Sequence, residues 1–496
     1  MLTNHVFGSE FNLEEYFMCN AFPWLFPGGT CDIYDEVRGK EDIGDWAKHL
    51  MKYMDGRFER DHIWSLYVSN LSNRHHNYKR GSYFVNNPEK FGTLPTVEQL
   101  QEQIRQGNTK TLERMSWFCN SNIPGCDAWW RSKTEEVHSW IDYHIGEGHG
   151  PPTHFITLSC AEFWWPDLRR IIVDMEKLSG DSEQVALIES NNIGAISRSV
   201  RKYPLLVSEF FMIRGTFFIE IILKKMIDLE YYWGRVEFAP GRGQIHLHLL
   251  AIMKNKAYLQ SLFDAKTDQE KINVLERYAT ETLGMTADIN VNDCPSSEDI
   301  QHAKKNLAAC YHEKGLSQQD SDNLCQACMM HFCNDYCMAK QKAKDGGRRY
   351  CKKARHGIEE DPIGCCKTPG LPLTDISYLS VSDNGVESLN LKRTKSRKVN
   401  QTCLPILQSW RGNIDVQLIH YRSDPRHPNV TEIQGVIRYI VSYVTKKGYR
   451  QKEERKMMED LILRYDISCC FELIILVLIL FLFSVSIKPM LKVLVP

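Results

Sequence analysis

Two runs of β-forming residues lie near the middle of the chain, separated by a short glycine- and proline-rich break. The runs are residues 232–238 and 244–252, and the break is residues 239–243. Two such runs around a five-residue loop predict a β-hairpin. Residues 154–160 are also rich in β-formers and predict a further strand that ends at a turn.

Helical periodicity occurs on both sides of these strands. Trp46, Leu50, Tyr53 and Met54 recur at helical spacing before the sequence Asp55-Gly56-Arg57-Phe58, and residues 204–230 predict one long helix with an apolar face. Residues 436–447 return to helical periodicity, and the Gly- and Pro-rich residues 146–152 predict a linker. Mixed helices and hairpin strands favour an α+β fold.

Composition indicates a folded globular protein. The 496 residues are 43% hydrophobic and 25% charged, and a length near 150 residues per domain predicts about three domains. Asn4, His5, Glu10 and Glu14 interrupt any apolar run at the N-terminus, so no secretory signal is predicted. We therefore expect an intracellular protein.

Charge is unevenly distributed although the formal net charge is only −1. Residues 1–300 carry 31 Lys and Arg against 42 Asp and Glu, whereas residues 301–450 carry 24 against 14. A basic third of this kind is typical of a region that binds a polyanion.

His246 and His248 form the sharpest local motif. Side chains two residues apart on a strand share a face, so both imidazoles can bind one divalent cation while Leu247 packs on the opposite side. The hairpin places Glu237 on the partner strand, where its carboxylate is a candidate third ligand, and Gln244 competes for that position. The alternative is an incidental histidine pair without a metal.

Tyr439 and Tyr443 lie four residues apart in a predicted helix, so both phenols project from one face. Lys446 and Lys447 follow within the next turn, where they are placed to hold phosphate. An aromatic stripe that packs against the core is the alternative. Together with a two-histidine metal site, however, a tyrosine hydroxyl can attack a DNA phosphodiester that a cation polarises.

These motifs resemble the two-tyrosine HUH endonuclease (Rep) domain of Helitron rolling-circle transposases. The resemblance extends over residues 15–450. It includes Phe-Pro-x-Leu-Phe-Pro within residues 21–29, Asp-Gly-Arg-Phe at residues 55–58, the first Rep strand motif at residues 155–167, and Glu-Phe followed by Arg-Gly-x-x-His-x-His. Many family members have a lysine directly before the second tyrosine, where this chain has Ser442.

The resemblance implies a role for each matching residue. Glu237, His246 and His248 would bind catalytic Mg²⁺ or Mn²⁺, Tyr439 and Tyr443 would be the nucleophiles, and Lys446 matches the lysine three residues after the second tyrosine. The implied fold is an HUH-type Rep core with a central antiparallel sheet flanked by helices. The histidine pair would occupy a central strand, with the tyrosine hydroxyls facing the metal.

The same resemblance implies a division of the chain into five segments. They are a Helitron-like N-terminal accessory region (1–150), the first part of the Rep core (151–300), a Cys/His-rich insertion (301–370), the second part of the core with the tyrosine helix (371–460), and an apolar tail outside the core (461–496).

Eight of the 17 cysteines fall between Cys310 and Cys366. Clustered cysteines in a reducing compartment indicate metal binding before disulfides. Paired Cys with His at such spacings supply enough ligands for a tetrahedral structural Zn²⁺, and buried or free thiols are the alternative. The candidate zinc ligands are Cys325, Cys328, His331, Cys333, Cys337 and Cys351, and Cys310, Cys365 and Cys366 compete with them.

Two basic runs accompany this insertion. Residues 340–355 include Arg348, Arg349, Lys352 and Lys353, which with Lys447 are candidate DNA-binding residues. The second run, residues 392–398, is a candidate phosphate-binding segment or nuclear import signal. A solvated charged face is the alternative for both runs.

No Gly-x-x-x-x-Gly-Lys-Ser/Thr motif occurs in the sequence, so no P-loop ATPase is predicted. Helitron proteins carry a C-terminal helicase, whereas here the resemblance stops near residue 450. Residues 473–483 are wholly apolar, fewer than the roughly 20 residues that a membrane-spanning helix needs. We expect a truncated or mis-spliced copy, with a membrane anchor as the alternative for the tail.

The sequence therefore predicts a metal-dependent enzyme that nicks and joins single-stranded DNA through a 5′-phosphotyrosine link. Its partners would be single-stranded DNA, transposon ends and a helicase supplied in trans, its compartment would be the nucleus, and a membrane would be a partner only if the tail is an anchor. The alternatives are a catalytically idle DNA-binding remnant and a membrane-tethered zinc protein.

Overall fold

The computed structural model describes most of the chain between Phe17 and Tyr421. The described residues are 17–34, 42–85, 96–111, 127–238, 244–254, 257–291, 298, 318–330, 338–340, 349–351, 373–381, 387–396, 399–421, 432–433, 435 and 463. The chain is divided into two compact units. One is Met1–Glu136 with Arg201–Leu205 and Thr445–Pro496, and the other is Val137–Val200 with Leu206–Val444.

The first unit is helical in its described residues. Its helices are α1 (Phe17–Ala21), α2 (Ile43–Met51), α3 (Arg57–Arg60), α4 (His62–Val85) and α5 (Val97–Arg105). Its core contains a cluster of aromatic rings, in which Phe26 stacks on Trp46 with 6.3 Å between ring centroids and Phe58 contacts Trp64 at 4.9 Å. Asp42 begins α2 by accepting hydrogen bonds from the backbone amides of Gly44 and Asp45.

The helix predicted around Trp46 is shorter than its periodicity indicated. Trp46 and Leu50 are buried in α2, but Tyr53 and Met54 follow its end and are 49% and 86% exposed. Gly56 adopts a left-handed backbone with φ of 68° directly before α3. The turn through Asp55 and Gly56 therefore ends the helical path that the apolar spacing alone would continue.

The second unit contains both helices and strands. Its elements up to residue 286, of which α6, α9 and α10 each have residues in the other unit, are α6 (Asp127–Gly146), β1 (His154–Ser159), α7 (Pro166–Leu178), α8 (Ser182–Glu189), α9 (Ile193–Lys202), α10 (Pro204–Phe217), α11 (Lys224–Met226), β2 (Leu229–Phe238), β3 (Ile245–Met253), α12 (Ala257–Asp264), α13 (Asp268–Arg277) and β4 (Met285–Thr286). The later elements are α14 (Gln318–Met329), β5 (Met338–Lys340), β6 (Arg349–Cys351), β7 (Tyr378–Val381), β8 (Glu387–Asn390), β9 (Thr402–Cys403), α15 (Leu404–Trp410) and β10 (Ile414–Leu418).

A four-stranded antiparallel sheet in the order β10-β1-β3-β2 organises this unit. The predicted hairpin is confirmed as the antiparallel pair β2 and β3, and the predicted strand near residue 154 is β1. The prediction of an α+β fold is confirmed in this coarse sense: helices accompany an antiparallel sheet. β3, which carries His246 and His248, is a central strand.

One face of the sheet packs into the main hydrophobic core. Leu158, Leu247 and Leu249 are buried there with Trp165 and Trp410. Leu247 therefore lies opposite the two histidines, as strand alternation predicts. The indole Nε1 of Trp410 donates a hydrogen bond to the carbonyl oxygen of Ser159 at 2.9 Å, which ties this core to the end of β1.

The long helix predicted over residues 204–230 is interrupted and ends at Met226, so the prediction was wrong for residues 227–230, where the chain turns into β2. α10 passes into a π-helical stretch, Phe218–Leu223, and then into the short α11, before β2 begins at Leu229. A π-helical stretch inserts wider turns into a helix. Periodicity alone does not predict such a stretch because the buried face remains apolar through it.

None of the helices described here is long and apolar enough to cross a membrane. The apolar run 473–483 and the helix predicted over 436–447 lie outside the described residues. The five-segment division of the chain stays a prediction.

Candidate metal centre

The strand register places polar side chains in rows across one face of the sheet. Glu237 on β2 pairs with His246 on β3, and His246 pairs with Ser159 on β1. In the next row, Arg235 pairs with His248, and His248 pairs with Thr157. β3 therefore places both histidines between two hydroxyl-bearing residues of β1 and, in the matching rows of β2, one acidic and one basic residue.

Glu237 and His248 are in direct contact. Oε2 of Glu237 lies 2.8 Å from Nε2 of His248, and the two side chains are only 14% and 8% exposed. A carboxylate and an imidazole nitrogen at this distance share either a proton or a cation. Two ligands at about 2.1 Å from one divalent cation lie about 3 Å apart, so this contact fits the chemistry of a Mg²⁺ or Mn²⁺ site.

His248 is held on its other edge as well. Its Nδ1 lies 3.0 Å from the hydroxyl of Thr157, and its ring is parallel to the ring of Phe155 with 5.7 Å between centroids. Hydrogen bonding at Nδ1 is the usual device that orients a metal-binding imidazole.

His246 lies one row further along the same face. Its Nδ1 is 2.8 Å from the hydroxyl of Ser159, and its ring centroid is 6.4 Å from that of His248. Both histidines therefore have Nδ1 bonded to a hydroxyl on β1.

Gln244, the competing third ligand, has its side-chain amide engaged elsewhere. Its Nε2 donates a hydrogen bond to the carbonyl oxygen of Cys160 at 2.8 Å. This bond fixes the amide against the end of β1.

Arg235 places a positive charge beside the candidate ligands. Burial lowers the pKa of Arg235 to about 10, an effect that the neighbouring Glu237 carboxylate opposes. The guanidinium thus remains charged at neutral pH. A cation in this position attracts the Glu237 carboxylate and also favours an anion such as phosphate near the face.

Across the described ranges, no three His, Cys, Asp or Glu side chains are arranged so that they could hold a metal ion. The structure brings Glu237 into contact with His248 and leaves His246 bonded to Ser159 on the same face. The three-ligand set of Glu237, His246 and His248 therefore stays a prediction.

The remaining candidate catalytic residues, Tyr439, Tyr443 and Lys446, lie outside the described residues, as does Lys447.

Two candidate zinc ligands lie on α14, three residues apart. Cys325 is fully buried among the core residues, and burial raises the pKa of its thiol to about 12, with the nearby Asp322 acting in the same direction. Cys328 is half-buried. His331, Cys333 and Cys337 lie outside the described residues, and only the backbone of Cys351 is described, in β6.

Among the candidate DNA-binding residues, Arg349 lies on β6, while Arg348, Lys352 and Lys353 lie outside the described residues. In the second basic run, Arg393 is not a solvated charge. Its side chain is 4% exposed and donates hydrogen bonds to the carbonyl oxygens of Ser396 and Val399. Arg393 therefore stabilises its own loop instead of contacting phosphate.

Sequence reasoning missed four residues that support the site. Thr157 and Ser159 alternate along β1 and so share a face, but their pairing with the histidines depends on strand register, which the sequence does not specify. Arg235 shares a face with Glu237 for the same reason. Asn413, whose Oδ1 lies 3.4 Å from Oγ of Ser159, is 254 residues away in sequence and has no local signal.

Part of the chain matches a known protein family. Residues 46–251 match the family model described as the Helitron helicase-like domain at the N-terminus. No curated protein and no solved structure matched the chain. The family resemblance seen in the sequence is confirmed over residues 46–251, which include Glu237, His246 and His248.

Proposed function

We propose that this chain, a Helitron-related protein by the domain at residues 46–251, is an HUH-type single-strand DNA endonuclease and strand transferase. The observation that carries the proposal is the 2.8 Å contact between Glu237 and His248, with His246 on the same sheet face. The transposase-type family supplies the DNA-processing role, and this face supplies ligands for a divalent cation.

Glu237, His246 and His248 would hold Mg²⁺ or Mn²⁺. A cation bound there would polarise the scissile phosphate and offset charge that develops in the transition state. The protein's own residues set up the site: Thr157 and Ser159 orient the two imidazoles, and Arg235 adds a fixed positive charge for the DNA phosphate.

The proposed nucleophile is the phenol oxygen of Tyr439 or Tyr443. That oxygen forms a bond to phosphorus, and the bond between phosphorus and the 3′ oxygen breaks. The proton of the phenol ends on the departing 3′ oxygen, so the products are a 5′-phosphotyrosine and a free 3′ hydroxyl. Rejoining reverses these bonds with a new 3′ hydroxyl, and Lys446 would contact the phosphate.

We also propose a structural role for the Cys/His-rich insertion and a set of partners for the protein. The Cys/His-rich insertion would bind structural Zn²⁺, and the basic residues near it, with Lys447, would contact the DNA backbone. The substrates would be single-stranded transposon ends in the nucleus, with a helicase supplied in trans.

The test uses the purified full chain, end-labelled single-stranded DNA of varied sequence, and Mg²⁺ or Mn²⁺. We expect a protein–DNA adduct that survives boiling in detergent. The double substitution Tyr439→Phe and Tyr443→Phe and, separately, His246→Ala should each abolish the adduct. Tyr143→Phe, a change at an exposed tyrosine on α6, is the matched control and should leave it intact.

The competing function is a catalytically idle DNA-binding remnant. DNA binding without an adduct, across varied sequences and both ions, would support the remnant and contradict the endonuclease proposal.

A further inference from the structure

A chain of hydrogen bonds connects His246 with the helix that carries two of the candidate zinc ligands. Nδ2 of Asn413 donates to the carbonyl oxygen of Cys328 on α14 at 2.9 Å. Oγ of Ser159 lies 3.4 Å from Oδ1 of Asn413 and 2.8 Å from Nδ1 of His246. The backbone amide of Ser159 also donates to the carbonyl oxygen of Asn413 at 2.9 Å, which keeps the two residues side by side.

One arrangement of hydrogens satisfies every contact in this series. A carbonyl oxygen only accepts, so the amide group of Asn413 must turn its NH₂ toward Cys328 and its oxygen toward Ser159. The Ser159 hydroxyl then donates its proton to Asn413. With its single hydrogen donated to Asn413, the Ser159 oxygen can only accept from Nδ1 of His246, which carries a hydrogen in this arrangement. A neutral imidazole protonated on Nδ1 has its lone pair on Nε2.

The carbonyl oxygen of Cys328, at which this series of hydrogen bonds begins, is held in place by packing. Leu324, Cys325 and Met329 of α14 are buried in the same core as the sheet. Nε2 of Gln408 on α15 donates to the hydroxyl of Ser321 on α14 at 2.9 Å. The carbonyl of Cys328 is therefore a fixed acceptor that belongs to the fold.

We propose that Ser159 and Asn413 are positioning residues that hold His246 in the tautomer with hydrogen on Nδ1, using the Cys328 carbonyl as anchor. This leaves Nε2 of His246 as the metal-binding nitrogen, a consequence that rests on the proposed function. The Cys/His-rich insertion would then support the catalytic centre directly through α14, in addition to any role in binding DNA.

The tautomer is measurable without metal or DNA. Long-range ¹H–¹⁵N correlation spectra of the metal-free full chain, labelled with ¹⁵N-histidine and recorded at pH 8, distinguish hydrogen on Nδ1 from hydrogen on Nε2. The His246 signal is identified by its loss in His246→Gln. We expect hydrogen on Nδ1 in the wild type and a shift toward Nε2 in Ser159→Ala and in Asn413→Leu.

Ser159→Thr keeps a hydroxyl at the same position and should restore the wild-type tautomer. Ser190→Ala removes a hydroxyl that donates to the carbonyl oxygen of Leu187 far along the chain and should change nothing. Mn²⁺ affinity should fall by about tenfold in Ser159→Ala and recover in Ser159→Thr, as expected when the group that orients a metal-binding histidine is removed.

Hydrogen on Nε2 of His246 in the wild type would overturn the proposal without any variant. So would an unchanged tautomer in folded Ser159→Ala and Asn413→Leu. A tautomer that responds as expected in a chain that forms no DNA adduct would uphold this inference and count against the endonuclease, so the two failures are distinguishable.

Discussion

Oε2 of Glu237 lies 2.8 Å from Nε2 of His248 across the β2–β3 hairpin, in a setting where both side chains are largely buried. A buried carboxylate in contact with an imidazole is stabilised by whatever positive species lies between them, whether a proton or a divalent cation. A divalent cation bound at this contact would therefore take the place of the shared proton.

Glu237→Gln should weaken Mn²⁺ binding by at least about tenfold, equivalent to about 1.4 kcal/mol. The amide keeps the shape of the side chain but loses the charge and one good metal-binding oxygen. Mn²⁺ affinity measured by electron paramagnetic resonance would test this. Glu281→Gln, at an exposed position, removes the same charge elsewhere and should bind Mn²⁺ normally; equal affinity in the two variants would contradict the assignment of Glu237.

Gly412→Ala should destabilise the protein and disturb the end of β1. A Cβ atom at this position would lie 2.7 Å from the carbonyl oxygen of Ser159 and 3.0 Å from Nε1 of Trp410, where neither neighbour is a flexible side-chain end. Overpacking of this kind costs about 1–3 kcal/mol, which urea unfolding would detect.

The control for that substitution is Gly146→Ala at the end of α6, where an added Cβ has no neighbour within 4 Å. Its free energy of unfolding should match or exceed that of the wild type. Similar losses for both variants would show that close packing against Ser159 does not limit position 412.

The sequence predicted much of this site because alternation along a strand is a local property. His246 and His248 had to share a face, Leu247 had to oppose them, and a short loop had to return Glu237 toward them. These relations depend on a few neighbouring residues and appear in the structure as expected.

Contacts between distant segments could not be predicted in this way. Strand register decides that Ser159 meets His246, and the packing of α14 decides that Cys328 reaches Asn413. The burial of Arg393 could not be predicted for a related reason. A run of basic residues is typical of a solvated surface, and the hydrogen bonds that bury Arg393 depend on how its loop folds.

His154 lies at the opposite end of β1 from Ser159 and makes the free energy of unfolding depend on pH. Burial lowers its pKa to about 3, and its ring contacts the hydroxyls of Thr153 at 2.8 Å and Tyr278 at 3.2 Å. Below the ordinary histidine pKa of about 6.5, the unfolded chain binds a proton that the native state does not, so stability falls as pH falls toward 3, by at most about 1.4 kcal/mol per pH unit.

His154→Gln should remove this dependence. Between pH 7 and pH 5 the wild type should lose about 2 kcal/mol more unfolding free energy than the variant, as measured in urea. His62→Gln, at an exposed position in α4, should follow the wild-type curve. Parallel curves for wild type and His154→Gln would contradict the buried neutral histidine.

Zinc in the insertion is the last prediction, and it follows from the spacing of the Cys and His residues there. Cys325 is buried and its thiol resists ionisation, so the charge of a bound metal would be needed to stabilise its thiolate. The purified full chain should contain about one zinc per molecule by mass spectrometry of the metal. Cys328→Ser with Cys333→Ser should lower this content close to zero, whereas Cys31→Ser, in the other unit, should not. Zinc retained in the double variant, or a folded wild type without zinc, would instead identify these cysteines as ordinary buried and free thiols.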